Sequence, residues 1–321
     1  MHSIAHLYIS VNCCNAFCAE HAKLFFGLLR SSPIPTVRNN LMIAAGDLCF
    51  RFPNTVEQYC ERLYERIHDQ DQAVRQTCLL VLTHLILNDM IKVKGCVADV
   101  AQCTLDSRPQ MAGLAKLFFQ EMAQKGNAIY NLMPDIISRL SDPKTGVEKE
   151  QFKEIMKFLL RFIQTEKQNE MLVEKFCQRF QSSKSSETEG GPWQYLSFCL
   201  TQLTLNEKAF RKLVDNVQCF GDKLSDTEVY ENFCIALASC KKSCKTPELK
   251  HEIEDFEETL KMIHEQGFEA EEAAERAKEF KNRTRSVRKT PARSRLKTPK
   301  QSPRKKIKCE IDSPTLASPS P

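Results

Sequence analysis

The sequence predicts an all-α fold: an α-solenoid of stacked helix pairs, followed by a long charged helix and a disordered basic tail. Three observations predict it. Glycine is scarce, at 10 of 321 residues, while Leu, Lys, Glu and Phe abound, which favours helices over glycine-rich nucleotide folds and turn-rich sandwiches. A helix–turn–helix pattern recurs every 36 or 37 residues. The charge is divided unevenly, with a strongly basic end on a mildly acidic body.

The repeat is read from four short polar turns, at Ser32, Asp69, Asp106 and Asp142. Five residues after each stands an apolar residue: Val37, Val74, Met111 and Val147. Eight further on lie Ala45, Leu82, Phe119 and Ile155, and eleven further on Leu48, Leu85, Met122 and Phe158. Offsets of 0, 8 and 11 share one helical face. Six residues before each turn stand Phe26, Leu63, Val100 and Ile136, which belong to the preceding helix. The turn aspartates suit N-caps, whose carboxylates accept from free backbone N–H groups. A unit of two such helices cannot bury its apolar face alone and must stack on its neighbours. A non-repetitive helical bundle is the plainer alternative.

Residues 1–21 stand apart as an N-terminal segment outside the register. MHSIAHLYIS has no Lys or Arg ahead of its apolar part, which makes a poor secretory signal. No run of about 18 apolar residues exists, so no membrane span is expected. The repeats occupy 22–166. Further helical repeats fill 167–247, with helices expected at 170–180, 193–205, 207–220 and 228–239. The polar stretch SSKSSETEGGP (182–192) reads as a disordered loop. A long charged helix is expected over 248–281. Beyond it, 282–321 is rich in Pro, Ser, Thr, Arg and Lys, and no core can form there. Residues 281–321 hold 13 Lys and Arg against 2 acids, a charge of +11, whereas the remainder carries −6. Fifteen cysteines, several among Leu and Phe as at Cys49, Cys78, Cys199 and Cys234, read as buried free thiols.

Val-Arg after the turn, as in Val37-Arg38 and Val74-Arg75, resembles HEAT repeats. The longer strings VRNNLMIAAGDLCFRFPN (37–54), LTHLILNDMIKVKG (82–95), KGNAIYNLMPDIISRLSDP (125–143), LVEKFCQRF (172–180) and CFGDKLSD (219–226) are similar to the HEAT-repeat regulatory subunits of condensin I, the chromosome-associated protein D type. The resemblance runs from about residue 22 to 265 and matches the C-terminal part of those longer chains. It implies a non-catalytic subunit acting with a pair of SMC ATPases, a kleisin chain and a second HEAT subunit in mitotic chromosome condensation. It also implies residence in the nucleus and on chromosomes, with a cytoplasmic pool.

The tail carries two basic clusters, Arg283, Arg285, Arg288 and Lys289, then Arg304, Lys305, Lys306 and Lys308. Such arrays suit an import receptor, and they also neutralise phosphates of double-stranded DNA without reading sequence. A merely solubilising tail is the bland alternative. Thr290 and Ser302, each followed by Pro and then a basic residue two further on, fit a mitotic cyclin-dependent kinase; Thr298-Pro is a weaker match. Three phosphates there add roughly −5 charges. Ser/Thr-Pro pairs also abound in disordered tails generally. Lys92 and Lys94, in a loop between repeats, are candidates for DNA or kleisin contact, or else plain surface charge. Arg38 and Arg75 are expected to pair with turn aspartates and brace the stack.

Cys13, Cys14, Cys18 and His21 match no common zinc spacing, and Cys240 and Cys244 lack further partners. His84, amid Leu82, Leu85 and Ile86, reads as a core-edge residue. No phosphate-binding glycine loop, zinc-protease motif or nucleophile elbow occurs, so neither catalysis nor a cofactor is expected. A HEAT adaptor of another class, such as a transport receptor or phosphatase scaffold, remains the rival reading. Replacing Leu82 or Phe119 by Asp puts a charge into an interface shared by two units. Either variant is expected to lose more than about 4 kcal/mol and to melt several units together. An unchanged cooperative transition in denaturant would refute the register.

Overall fold

The computed structural model describes residues 10–91, 96–142, 147–182, 191–244 and 246–287, the last stretch as backbone from residue 270 onward. Every regular element among these residues is helical. In chain order they are α1 (Asn15–Ser31), α2 (Pro35–Arg51), α3 (Pro53–Val56), α4 (Cys60–Tyr64), α5 (Gln72–Leu87), α6 (Val97–Cys103), α7 (Pro109–Gln124), α8 (Ala128–Leu140), α9 (Lys149–Leu160), α10 (Glu166–Ser182), α11 (Pro192–Thr201), α12 (Glu207–Asp215), α13 (Thr227–Ser243) and α14 (Pro247–Val287). Proline opens α2, α3, α7 and α11, where its missing N–H has no partner to lose. Short 3-10 turns join α3 to α4 and follow α4, α12 and Cys219.

The residues up to Glu272 form one compact unit, and 273–321 a second. In the first, the helices pack as two rows. One row runs α2, α5, α7 and then α9, α11, α13; the other runs α1, α3–α4, α6, α8, α10, α12. Side-chain bonds between successive units span about one repeat of chain: Lys125 to Asp89, Gln168 to Asn127 and Asn206 to Glu170. This nearest-neighbour pattern is the signature of a solenoid. The apolar positions set out above obey it. Phe26, Leu63, Val100 and Ile136 are buried, as are Ala45, Leu82, Phe119 and Ile155. Val37, Val74 and Met111 are buried near the starts of α2, α5 and α7. The fourth turn is longer, so Val147 lies half-buried two residues ahead of α9.

The structure corrects several local expectations. The cap of α5 is Asp71, not Asp69; its carboxylate accepts from the N–H groups of Ala73 and Val74. Asp69 stands two residues earlier and accepts from the Asp71 N–H, just as Asp106 accepts from the Arg108 N–H ahead of α7. Both are Asx turns that shape the chain before the helix rather than ending it. The expected helix over 207–220 stops at Asp215 and continues as two 3-10 turns. There the Asn216 amide donates to the Lys212 carbonyl and draws off a helical acceptor. The long helix runs through Val287, past the expected 281, and takes the backbone of Arg283 and Arg285 with it. Residues 183–190, at the heart of the expected loop, lie outside the described residues.

Cys49, Cys78 and Cys199 are buried free thiols, while Cys234 is only half-buried. Burial pushes the Cys96, Cys103 and Cys177 thiols up to about 12.

One ion-pair cluster joins the first two units. Arg38 on α2 holds Asp69 with two parallel bonds, Nε to Oδ2 at 2.8 Å and Nη2 to Oδ1 at 2.7 Å. Its remaining Nη1 donates to the Ser32 carbonyl, and Arg66 adds a bond to Asp69 Oδ2 at 3.1 Å. Arg75 repeats the return to the turn, with Nη1 donating to the Asp69 carbonyl at 2.7 Å. It binds backbone oxygens where a carboxylate partner was expected. Burial raises the Asp69 carboxyl, but the Arg38 fork, the Asp71 N–H and the two arginine charges outweigh it and hold the group below its usual value. The cluster's contribution is therefore complete above the unfolded pKa of about 3.9 and is lost as pH falls through the lower folded value. Arg38→Ala, which leaves a buried carboxylate short of its main partner, is expected to cost about 3–5 kcal/mol. Asp69→Asn should melt well below the parent at pH 7, with the gap narrowing in acid. A gap independent of pH would show that the carboxylate charge does not matter.

Candidate partner-binding face

The helices α2 and α5 touch at Gly46. Gly46 on α2 faces Val81 on α5, and a Cβ at Gly46 would stand 2.8 Å from Val81 Cγ1. Beside this approach opens a groove of about 640 Å3, with Gly46 and Val81 in its floor. Its lining includes outward-facing apolar side chains, with Ile43 49% exposed, Phe50 61% and Leu80 47%, beside the charged Asp47 and Arg51. Large apolar side chains grouped on a surface mark an interaction site more often than an accident. At one end Arg51 donates to the Asn12 carbonyl at 3.0 Å, and at the other His84 meets the Asn88 amide at 3.4 Å. His84 is thus an exposed groove residue, not the core-edge residue expected from its neighbours.

The wall residues obey the repeat. Ile43, Leu80 and Leu117 each stand six positions after Val37, Val74 and Met111, and Leu117 on α7 is 48% exposed. The same position in the fourth unit is Lys153, tied to Glu150 at 3.0 Å and to Glu228 at 3.7 Å. Reading only the buried offsets passed over this row. The signal was available: an apolar residue at one repeated position on the solvent side of the helix.

Of the residues singled out from sequence, Lys92 and Lys94 lie outside the described residues, as do Arg288, Lys289, Thr290, Thr298, Ser302, Arg304, Lys305, Lys306 and Lys308. Among the described residues no group of His, Cys, Asp and Glu is arranged to hold a metal ion, and no helix is long and apolar enough to cross a membrane.

A family model described as non-SMC mitotic condensation complex subunit 1 matches residues 36–201, which include α5, α7 and all of α2 after Pro35. The human protein "Condensin complex subunit 1" is 47% identical over 279 residues, 87% of this chain and 20% of its own. The Xenopus laevis protein of that name is 48% identical over 253 residues, 79% of this chain and 18% of its own. "Condensin-1 complex subunit CAP-D2" of Arabidopsis thaliana is 40% identical over 283 residues, 88% of this chain and 20% of its own. The chain spans about a fifth of the length of these relatives.

Gly46→Ala adds about 1 kcal/mol of helix propensity but meets a stiff, β-branched neighbour. It is expected to gain nothing, or to destabilise, in the parent chain, and to stabilise once Val81→Ala makes room. A coupling of about 1 kcal/mol in a double-mutant cycle checks this, and strict additivity would contradict it.

Proposed function

Since the chain belongs to the family of non-SMC mitotic condensation complex subunit 1, we propose that it acts in condensin I as a non-catalytic scaffold that holds the kleisin chain and double-stranded DNA. The single observation that carries this reading is the family match across 36–201, supported by the apolar groove that the same segment presents to solvent. In this reading the SMC ATPase pair and a second HEAT subunit complete the assembly, and ATP hydrolysis belongs to the SMC pair. The rest of the proposal concerns the basic end. Arg283, Arg285 and the clusters after them attract phosphates by counterion release, a non-specific and salt-sensitive contact. An import receptor reads the same cations, which places the protein in the nucleus and on chromosomes with a cytoplasmic pool. Phosphorylation of Thr290, Thr298 and Ser302 by a mitotic cyclin-dependent kinase removes roughly half of the +11 charge.

Tagged full chain is expected to recover SMC and kleisin subunits from mitotic extract. Recovery of transport or phosphatase machinery alone would overturn the reading. Deleting 288–321, which leaves α14 whole, should weaken duplex DNA binding, flatten its salt dependence and reduce nuclear accumulation. Unchanged DNA affinity across the salt series would remove the tail from the DNA contact.

A further inference from the structure

We propose that Cys240 and Cys244 form a reversible dithiol–disulfide couple in the last turn of α13, a redox latch at the root of the long helix α14.

The two residues stand one helical turn apart. The Cys244 N–H donates to the Cys240 carbonyl at 3.0 Å and closes the end of α13. Residues four apart share one face of a helix. Cys240 is buried, and Cys244 is half-buried and packs against the same core. Both are free cysteines, and their thiols hydrogen-bond to each other. Cys244 has already left the helix, with φ −72° and ψ 132°, so its backbone can give where a mid-helix residue could not.

A disulfide needs Cα atoms about 4.4–6.8 Å apart and Cβ atoms about 3.5–4.5 Å apart. Four residues of α-helix advance about 6 Å, which suits the first requirement. Their Cβ atoms lie about 5–6 Å apart, so the second is met only if the turn tightens by about 1 Å. Closing the bond therefore reshapes the end of α13. A bond made against such strain is more easily reduced, which makes the couple reversible.

The oxidant is a small disulfide such as glutathione disulfide. Burial, then the neighbouring Cys244, push the Cys240 thiol up to about 12, so Cys240 stays protonated. The more exposed Cys244 loses its proton to water and attacks one glutathione sulfur. A mixed disulfide forms and the first glutathione leaves as a thiolate, which takes a proton from water. Cys240 Sγ then attacks Cys244 Sγ, and its proton goes to the second departing glutathione. Two protein thiols and one glutathione disulfide thus become one protein disulfide and two glutathiones.

The reshaped turn contains Lys241. Its Nζ lies 2.7 Å from Glu254 and 3.9 Å from Glu257, both on α14. Oxidation therefore acts on the junction that carries α14 away from α13, close to the buried Leu249 and Ile253.

The test uses the full native chain, equilibrated in glutathione buffers from reduced to oxidised and digested with trypsin without reductant. Trypsin cuts after Lys241 and Lys242, between the two cysteines, so only a disulfide keeps their peptides joined. The oxidised chain is expected to yield that joined pair, lighter by two hydrogens than the separate peptides together. Reduced glutathione should release it. Backbone amides of 246–257 should exchange hydrogen at least about threefold faster in the oxidised chain. Cys244→Ser, a near-isosteric change at a half-buried position, should abolish both effects. Absence of the joined pair, or Cys240 joined instead to another of the 15 cysteines, would overturn the proposal. So would a bond that reduced glutathione cannot open, or exchange over 246–257 that oxidation leaves unchanged.

Discussion

A pair of helices has two apolar faces and can hide only one within the pair. That constraint governs the whole molecule. The second face of each unit must be covered by the next, so Leu82, Phe119 and Ile155 are buried at interfaces that no single unit could form. Everything polar at the joints is arranged around this demand. The Arg38–Asp69 fork sits where a turn of one unit meets a helix of another and satisfies a carboxylate that the stacking has buried. Gly46 performs the same service without charge, by letting two helices approach until the layer closes.

Burial on one side leaves the other side free to vary. In most of the outer row the solvent face is polar, as a soluble surface requires. Over α2, α5 and α7 it also carries Ile43, Leu80 and Leu117 at one position of each unit, and that departure repeats with the units themselves. A repeated scaffold thus produces a repeated surface. The basic end works on a different principle: its sequence offers charge density, while the groove offers apolar surface.

The stack was legible in the sequence because its demand is periodic. Val37, Val74 and Met111 mark helix starts, and Phe26, Leu63, Val100 and Ile136 mark the partner helix, all from spacing alone. What was not legible was local and geometric. Asp69 and Asp71 are the same residue type two positions apart, and only the backbone path decides which caps the helix and which folds the turn. His84 has core neighbours in sequence yet points outward, because a helical face changes within one residue. The break after Asp215 depends on an Asn216 amide turning back on its own helix, which competes with helix continuation by a margin that propensity does not resolve. The groove was hidden for another reason: apolar residues are read as core by default, and exposure is a property of packing.

The arginine that follows each turn is not carried through the array. Arg38 and Arg75 return to their turns, but the equivalent place in the third unit is Ala112, too short to reach anything. The next turn is also the lengthened one, with Val147 ahead of its helix. The first two turns are therefore each held by an arginine that reaches back to a backbone carbonyl, a bond that Ala112 has no side chain to make at the third.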